Sequence, residues 1–173
     1  MEIVRIPTER MKSLLGEKGE TKTLIEKKCN VKLDVEDEGE VRITGDSADI
    51  FFAKDVVKAI GRGFEPRDAL RIANDNYQFE LIDLKDVLKN EKAITRIKGR
   101  IIGEKGKMKS EIEASTESVI AVYGYTVGII SRLDTMQYAR EAVMRLVEGA
   151  EHMSVFNYLA KAKKDILVSR LVQ

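Results

Sequence analysis

"LLGEKGETKTLIE" (Leu14–Glu26) and "IIGEKGKMKSEIE" (Ile101–Glu113) are the two stretches that decide the fold of this 173-residue chain. They stand 87 positions apart. Over the eleven positions from Gly16 and Gly103 onward, seven residues are identical, with no low-complexity tract nearby to produce the match by chance. A repeat of this kind implies one structural unit written twice. Each copy sets two glycines three apart between amphipathic stretches. Glycine is poor helix interior and free to take positive φ, so each copy predicts a helix, a tight GEKG loop, and a second helix.

The pattern extends outward from the loops. "NVKLDV" (Asn30–Val35) faces "SVIAV" (Ser118–Val122), and "VRITG" (Val41–Gly45) faces "VGIIS" (Val127–Ser131), all with the alternation or apolar run of strands. "FAKDVVKAIGRG" (Phe52–Gly63) faces "YAREAVMRLVEG" (Tyr138–Gly149) with the offset reduced to 86, so one residue is lost in the second hairpin. In the first of these helices Ile50, Ala53, Val57 and Ile60 share a face. "EIVRI" (Glu2–Ile6) and "YQFELIDL" (Tyr77–Leu84) supply the first strand of each copy, and a longer insertion precedes the helix "AITRIKGRII" (Ala93–Ile102). The order is β-α-α-β-β-α, twice.

The expected fold class is α+β: two tandem units, each a three-stranded sheet with helices on one face. The expected boundaries are residues 1–63 for the first unit, 64–76 for a helical connector, 77–150 for the second unit and 151–173 for a C-terminal helical extension. The connector holds "EPRDALRIA", with Pro66 near its helix start. It carries little glycine or serine, which predicts a packed pair rather than a flexible tether.

Composition sets further bounds. Hydrophobic residues make up 43% and charged residues 34%, an ordinary globular balance. The net charge of +1 means that any nucleic-acid surface is local. The charge-free run "VIAVYGYTVGII" (Val119–Ile130) is shorter than the ~18 residues of a spanning helix, and the N-terminal residues do not read as a signal peptide. The lone Cys29 excludes an internal disulfide and a cysteine zinc site and suits a cytoplasmic setting. His152, the single histidine, has no cysteine partner for a metal centre. No metal and no cofactor are expected.

A helix-GxxG-helix is a device for holding a nucleic-acid backbone. The glycines let phosphates approach the main chain, and the second helix turns its N–H groups and positive dipole end outward. In a β-α-α-β-β-α unit this is the KH design, in which the loop clamps about four nucleotides of single strand. Other phosphate loops fit badly. Gly106 and Lys107 are followed by Met108, and Ile101 stands where a P-loop needs its first glycine. The RNA-facing candidates are Arg96, Lys98, Arg100, Ile102, Gly103, Glu104, Lys105, Gly106, Lys107 and Lys109 in the second copy. In the first they are Gly16, Glu17, Lys18, Gly19 and Lys22. Tyr123 and Tyr125 flank the second hairpin turn as possible stacking rings. The acidic run "DVEDEGE" (Asp34–Glu40) disfavours a strand and suits a basic protein. Asp75, Glu80, Asp83 and Asp86 are clustered carboxylates, but no base or arginine cluster accompanies them, so no catalytic residue is expected.

In the general KH pattern an apolar residue follows the second glycine by three positions and another by six. Ile25 and Ile112 keep the second of these. Lys22 and Lys109 replace the first. That departure, with "KGRIIGEKGKMKSEIE" (Lys98–Glu113) and "GFEPRDALRI" (Gly63–Ile72), resembles the partner-of-Nob (Dim/Pno-type) KH-domain ribosome-assembly proteins over nearly the whole chain. The resemblance implies two type I KH domains, as in archaeal members. It also implies binding to single-stranded small-subunit (16S) rRNA near its 3′ end, and a role in pre-rRNA processing. The Nob endonuclease and the rRNA adenine dimethyltransferase are the partners it implies. Eukaryotic relatives have lost the GxxG of the first unit, which this chain keeps at Gly16–Gly19. A KH-fold protein-interaction scaffold and an accessory protein of RNA decay stand as alternatives.

Overall fold

The computed structural model describes residues 1–172; Gln173, the last residue of the expected C-terminal extension, lies outside the described residues. The chain divides into two compact units, the first running from Met1 to Phe79 and the second beginning at Glu80, so the boundary falls inside the strand Tyr77–Asp83, which pairs within the second unit's sheet.

The first unit opens with β1 (Glu2–Arg5). Pro7 ends it, and a single 3-10 turn, Thr8–Arg10, leads into α1 (Met11–Leu15). After the GEKG loop come α2 (Glu20–Cys29), β2 (Lys32–Val35), β3 (Glu40–Thr44) and α3 (Ser47–Gly61). The sheet order is β1-β3-β2. Both pairings are antiparallel, with Val4 opposite Val41 and Leu33 opposite Ile43. Inward residues alternate along each strand, as a one-sided sheet requires. Leu14, Ile25, Leu33, Val41, Ile43, Val57 and Ile60 are fully buried. Each such side chain contributes about 1.5–3 kcal/mol by leaving water. The stripe expected on α3 is the buried one: Ile50, Ala53, Val57 and Ile60 all face inward. The connector forms α4 (Pro66–Ala69) and a 3-10 turn, Leu70–Ala73, in which Ala69 and Ile72 are buried.

The second unit repeats the order. Its strands are β4 (Tyr77–Asp83), β5 (Ser118–Tyr123) and β6 (Thr126–Arg132), in the order β4-β6-β5. Its helices are α6 (Glu91–Ile102), α7 (Lys107–Thr116) and α8 (Met136–Val147). The insertion before α6 contains a short helix, α5 (Leu84–Val87), capped by the Asp83 carboxylate, which accepts from the Lys85 N–H. The final helix is α9 (His152–Leu171). It is no loose appendage: Val155 and Leu159 belong to the same core as Ile97, Ile112, Ile129 and Val143.

No helix among the described residues is long and apolar enough to cross a membrane.

Candidate nucleic-acid interface

The two GEKG loops have one conformation. Gly16 and Gly103 have φ of 73° and 76°, Lys18 and Lys105 both have φ of 54°, and Gly19 and Gly106 have φ of 78° and 74°. Three of four loop residues in each copy therefore lie in the left-handed region, which favours glycine. The two glycines differ in what surrounds them. A Cβ on Gly16 would lie 2.2 Å from the Thr21 hydroxyl, and one on Gly103 would lie 2.8 Å from the Met108 N and Cβ. This first glycine lets the incoming helix meet the outgoing one. A Cβ on Gly19 or Gly106 would meet nothing within 4 Å. The second glycine faces open space, where a phosphate can reach the main chain at the start of a ten-residue helix. Glu17, Lys18, Glu104 and Lys105 are all exposed at this edge.

The lysine three after each loop has a local explanation. Lys109 pairs with Glu113 at 3.2 Å, and the other Glu113 carboxylate oxygen accepts the Ile120 N–H of β5 at 3.0 Å. In the first unit Lys22 lies 3.8 Å from Glu26, which accepts the Leu33 N–H of β2 at 2.8 Å. The carboxylate ties the second helix to the strand beside it, and the lysine neutralises it. Glu26 and Glu113 are thus positioning residues absent from the sequence-based set. Their signal was present as the identical Lys-x-x-x-Glu spacing in both copies.

The basic residues of α6 divide. Arg96 is exposed, Lys98 is half-buried and Ile102 is 37% exposed beside the loop. The sequence places Arg100 with them, but the structure turns it inward. Its guanidinium donates to the carbonyl oxygens of Leu146, at 3.3 Å, and Ala150, at the end of α8. Helix C-termini leave carbonyls short of partners; the Leu146 carbonyl also accepts the Gly149 N–H at 3.2 Å, so Arg100 reinforces that backbone cap and reaches on to the Ala150 carbonyl, three residues past α8. The first unit does the same from another position. Arg10 donates to the carbonyls of Ile60 and Phe64, each at 2.8 Å. Lys107 lies 5.8 Å over the Phe156 ring of α9. Among the described residues no ion pair engages Arg96, Lys98, Lys105 or Lys107.

Other residues singled out by sequence are held elsewhere. Lys85 covers one face of the Tyr125 ring at 3.7 Å. Glu80 pairs with Arg140 at 2.6 Å and Asp83 caps α5, so this pair of carboxylates serves structure. His152 opens α9, edge-on to Phe156. Cys29 is buried, and that burial, reinforced by Asp49, pushes its thiol up to about 11.

A model of the KH domain matches residues 1–59, and a model of the eukaryotic-type KH domain (KH-domain type I) matches residues 78–164. The KH domain-containing protein MJ0443 of Methanocaldococcus jannaschii is 39% identical over 98% of this chain and 77% of its own length. A chain in the crystal structure of the a/eIF2alpha-aDim2p-rRNA complex from Pyrococcus horikoshii is 40% identical, with a TM-score of 0.87, covering 95% of this chain and 94% of that one. The chain belongs to the PNO1/Dim2 family of KH-domain proteins. A PNO1/Dim2 protein named for pre-rRNA processing, PNO1 of Chaetomium thermophilum, is 35% identical over 61% of this chain and 42% of its own length. The chain therefore spans less than half of that eukaryotic relative. Each GEKG loop lies inside one of the two KH matches, so the PNO1/Dim2 assignment and the internal repeat describe the same two units.

Proposed function

We propose that this protein is a non-catalytic RNA-binding factor of small-subunit ribosome biogenesis. It holds single-stranded 16S rRNA near its 3′ end at its GxxG loops, and the second KH domain supplies most of the affinity. The observation that carries this reading is the pair of preformed loops whose second glycine, Gly19 or Gly106, opens onto free space with positive φ. A backbone shaped in advance pays no ordering cost when a strand arrives. The likeness to a chain crystallised with rRNA supports the same ligand class. The Nob endonuclease and the rRNA adenine dimethyltransferase are the proposed protein partners, along with the a/eIF2alpha named in that complex, and the cytoplasm is the proposed setting. The domain limits we propose are 1–63 and 77–150 for the KH units, 64–76 for the connector and 151–173 for the extension.

The test is a titration of the full chain with a single-stranded RNA copying the 3′ end of 16S rRNA, against a scrambled strand, in buffer with Mg²⁺. The expected result is tighter binding of the rRNA sequence with both strands left intact. Absence of binding to either would favour a protein-interaction scaffold, and cleavage of the bound strand would overturn the non-catalytic assignment.

A further inference from the structure

We infer that the strand held at the second GxxG loop continues along the outer face of α6 to a second phosphate-binding station built by Lys89, Lys92 and Arg96. The inference rests on the RNA-binding reading and extends it beyond the loop. Between α5 and α6 lies a cleft of about 500 Å³ lined by these three basic side chains, with Val87 and Leu88 on its apolar side. Glu91 and Asp86 are the carboxylates of this segment, and neither lines the cleft. Among the described residues no ion pair engages Lys89 or Lys92, and both are exposed. The other lysine of the segment, Lys85, lies over the Tyr125 ring.

Helix phase joins the cleft to the loop. Ile94, Ile97 and Ile101 are the buried residues of α6. At about 100° per residue, Lys92, Arg96, Gly99 and Gly103 fall on the opposite face. Arg96 and Lys92 stand roughly 10 and 16 Å from Gly103 along the axis, at 1.5 Å per residue. Between them and the loop sits Gly99, mid-helix and exposed, where a Cβ would meet nothing within 4 Å. Glycine at such a place costs helix stability and leaves a bare stretch of helix over which a backbone can pass. The N-terminus of α6, capped by the Asn90 side chain on the Ala93 N–H, adds its positive dipole end at the cleft.

The first unit has no counterpart. There only two residues separate β1 from the turn at Thr8, and Arg10 is turned away to the carbonyls of Ile60 and Phe64. The station therefore belongs to the insertion that distinguishes the second copy, and its ligand is the phosphodiester backbone of a single strand longer than the loop alone can hold.

The experiment compares the full chain with its Lys89→Gln/Lys92→Gln variant, both changes lying on exposed side chains. Two RNAs sharing the same core are used, one of about four nucleotides, the span of a GxxG clamp, and one of roughly ten. The variant should lose several-fold affinity for the longer RNA, with a salt slope shallower by about 1.4 for two lost phosphate contacts, and none for the shorter. An equal loss on both RNAs, or no loss on the longer, would overturn the station. Wild-type protein that binds both RNAs equally would also overturn it while leaving the functional reading intact. Wild-type protein that binds neither would overturn the functional reading itself.

Discussion

Arg100 reaches across 46 positions of sequence to donate to the carbonyl oxygen of Leu146 at 3.3 Å. With the matching bond to Ala150 it closes the C-terminal end of α8. Hydrogen bonds to a charged group are each worth about 1.5–3 kcal/mol, so Arg100→Ala should destabilise the second unit by roughly 2 kcal/mol or more. It should leave the salt slope of RNA binding unchanged. Arg96→Ala should do the reverse, with stability preserved and the slope flatter. Urea unfolding and salt titrations of the two variants test the division. A flattened slope for Arg100→Ala would return that residue to the interface.

The two glycines of each loop should separate in the same way. Gly103→Ala adds a Cβ at 2.8 Å from the Met108 main chain as well as strain from positive φ, and should lower stability. Gly106→Ala meets no neighbour and carries only the cost of the left-handed conformation, about 1–2 kcal/mol. Its larger effect should be on RNA affinity, because the new methyl group faces the open side of the loop. Paired thermal melts and binding titrations check this. Equal destabilisation by the two changes would contradict the packing difference.

Cys29 gives a pH dependence. Its folded-state thiol is pushed up to about 11 from an ordinary 9.0. A raised value means that the folded state holds the proton more tightly than the unfolded chain does. The contribution is complete below pH 9 and is lost as pH rises from there through 11. Native protein should therefore react slowly with a thiol reagent at pH 8 and quickly once unfolded in urea, and Cys29→Ala should soften the alkaline loss of stability. Rapid native labelling at pH 8 would show that the thiol is neither buried nor suppressed.

What sequence reasoning could reach follows from the range of the interactions. The GEKG loops, the hairpins and the buried stripe of α3 are local patterns, each legible within about a dozen residues. Glycine spacing led to the loop because positive φ is a property of single residues. The direction of Arg100 was not legible. On α6 it sits among other basic residues, and only the folded chain brings Leu146 and Ala150 beneath it. The same holds for Lys22 and Lys109. Their spacing to Glu26 and Glu113 was visible, but not that each carboxylate also accepts an N–H from the neighbouring strand. The cleft at Lys89 and Lys92 needed α5, a four-residue helix too short to carry a periodic signal.

The second loop should outweigh the first in RNA affinity. Among the described residues, the basic side chains around Gly103–Gly106 without an ion pair are Arg96, Lys98, Lys105 and Lys107, with Glu104 the opposing loop charge. Around Gly16–Gly19 Lys22 is paired with Glu26 as Lys109 is with Glu113, and Arg10 is tied to carbonyls as Arg100 is, so among the described residues Lys12 and Lys18 are the basic side chains near the loop without an ion pair, against both Glu17 and Glu20. The first hairpin then adds Glu36, Asp37 and Glu38, all exposed, whereas Val119–Ile130 carries no charge to repel a strand. Glu104→Asp/Lys105→Asp keeps both glycines, and aspartate tolerates the left-handed φ of 54° that Lys105 adopts. The loop should therefore survive while two carboxylates face the phosphates. The double change should cost several-fold in affinity for single-stranded rRNA and reduce the salt slope by about 0.7 for each lost contact. Glu17→Asp/Lys18→Asp should cost less on both measures. Salt-dependent titrations of the two variants beside the parent decide the matter: equal losses, or a larger loss from the first loop, would move the dominant site to the first unit.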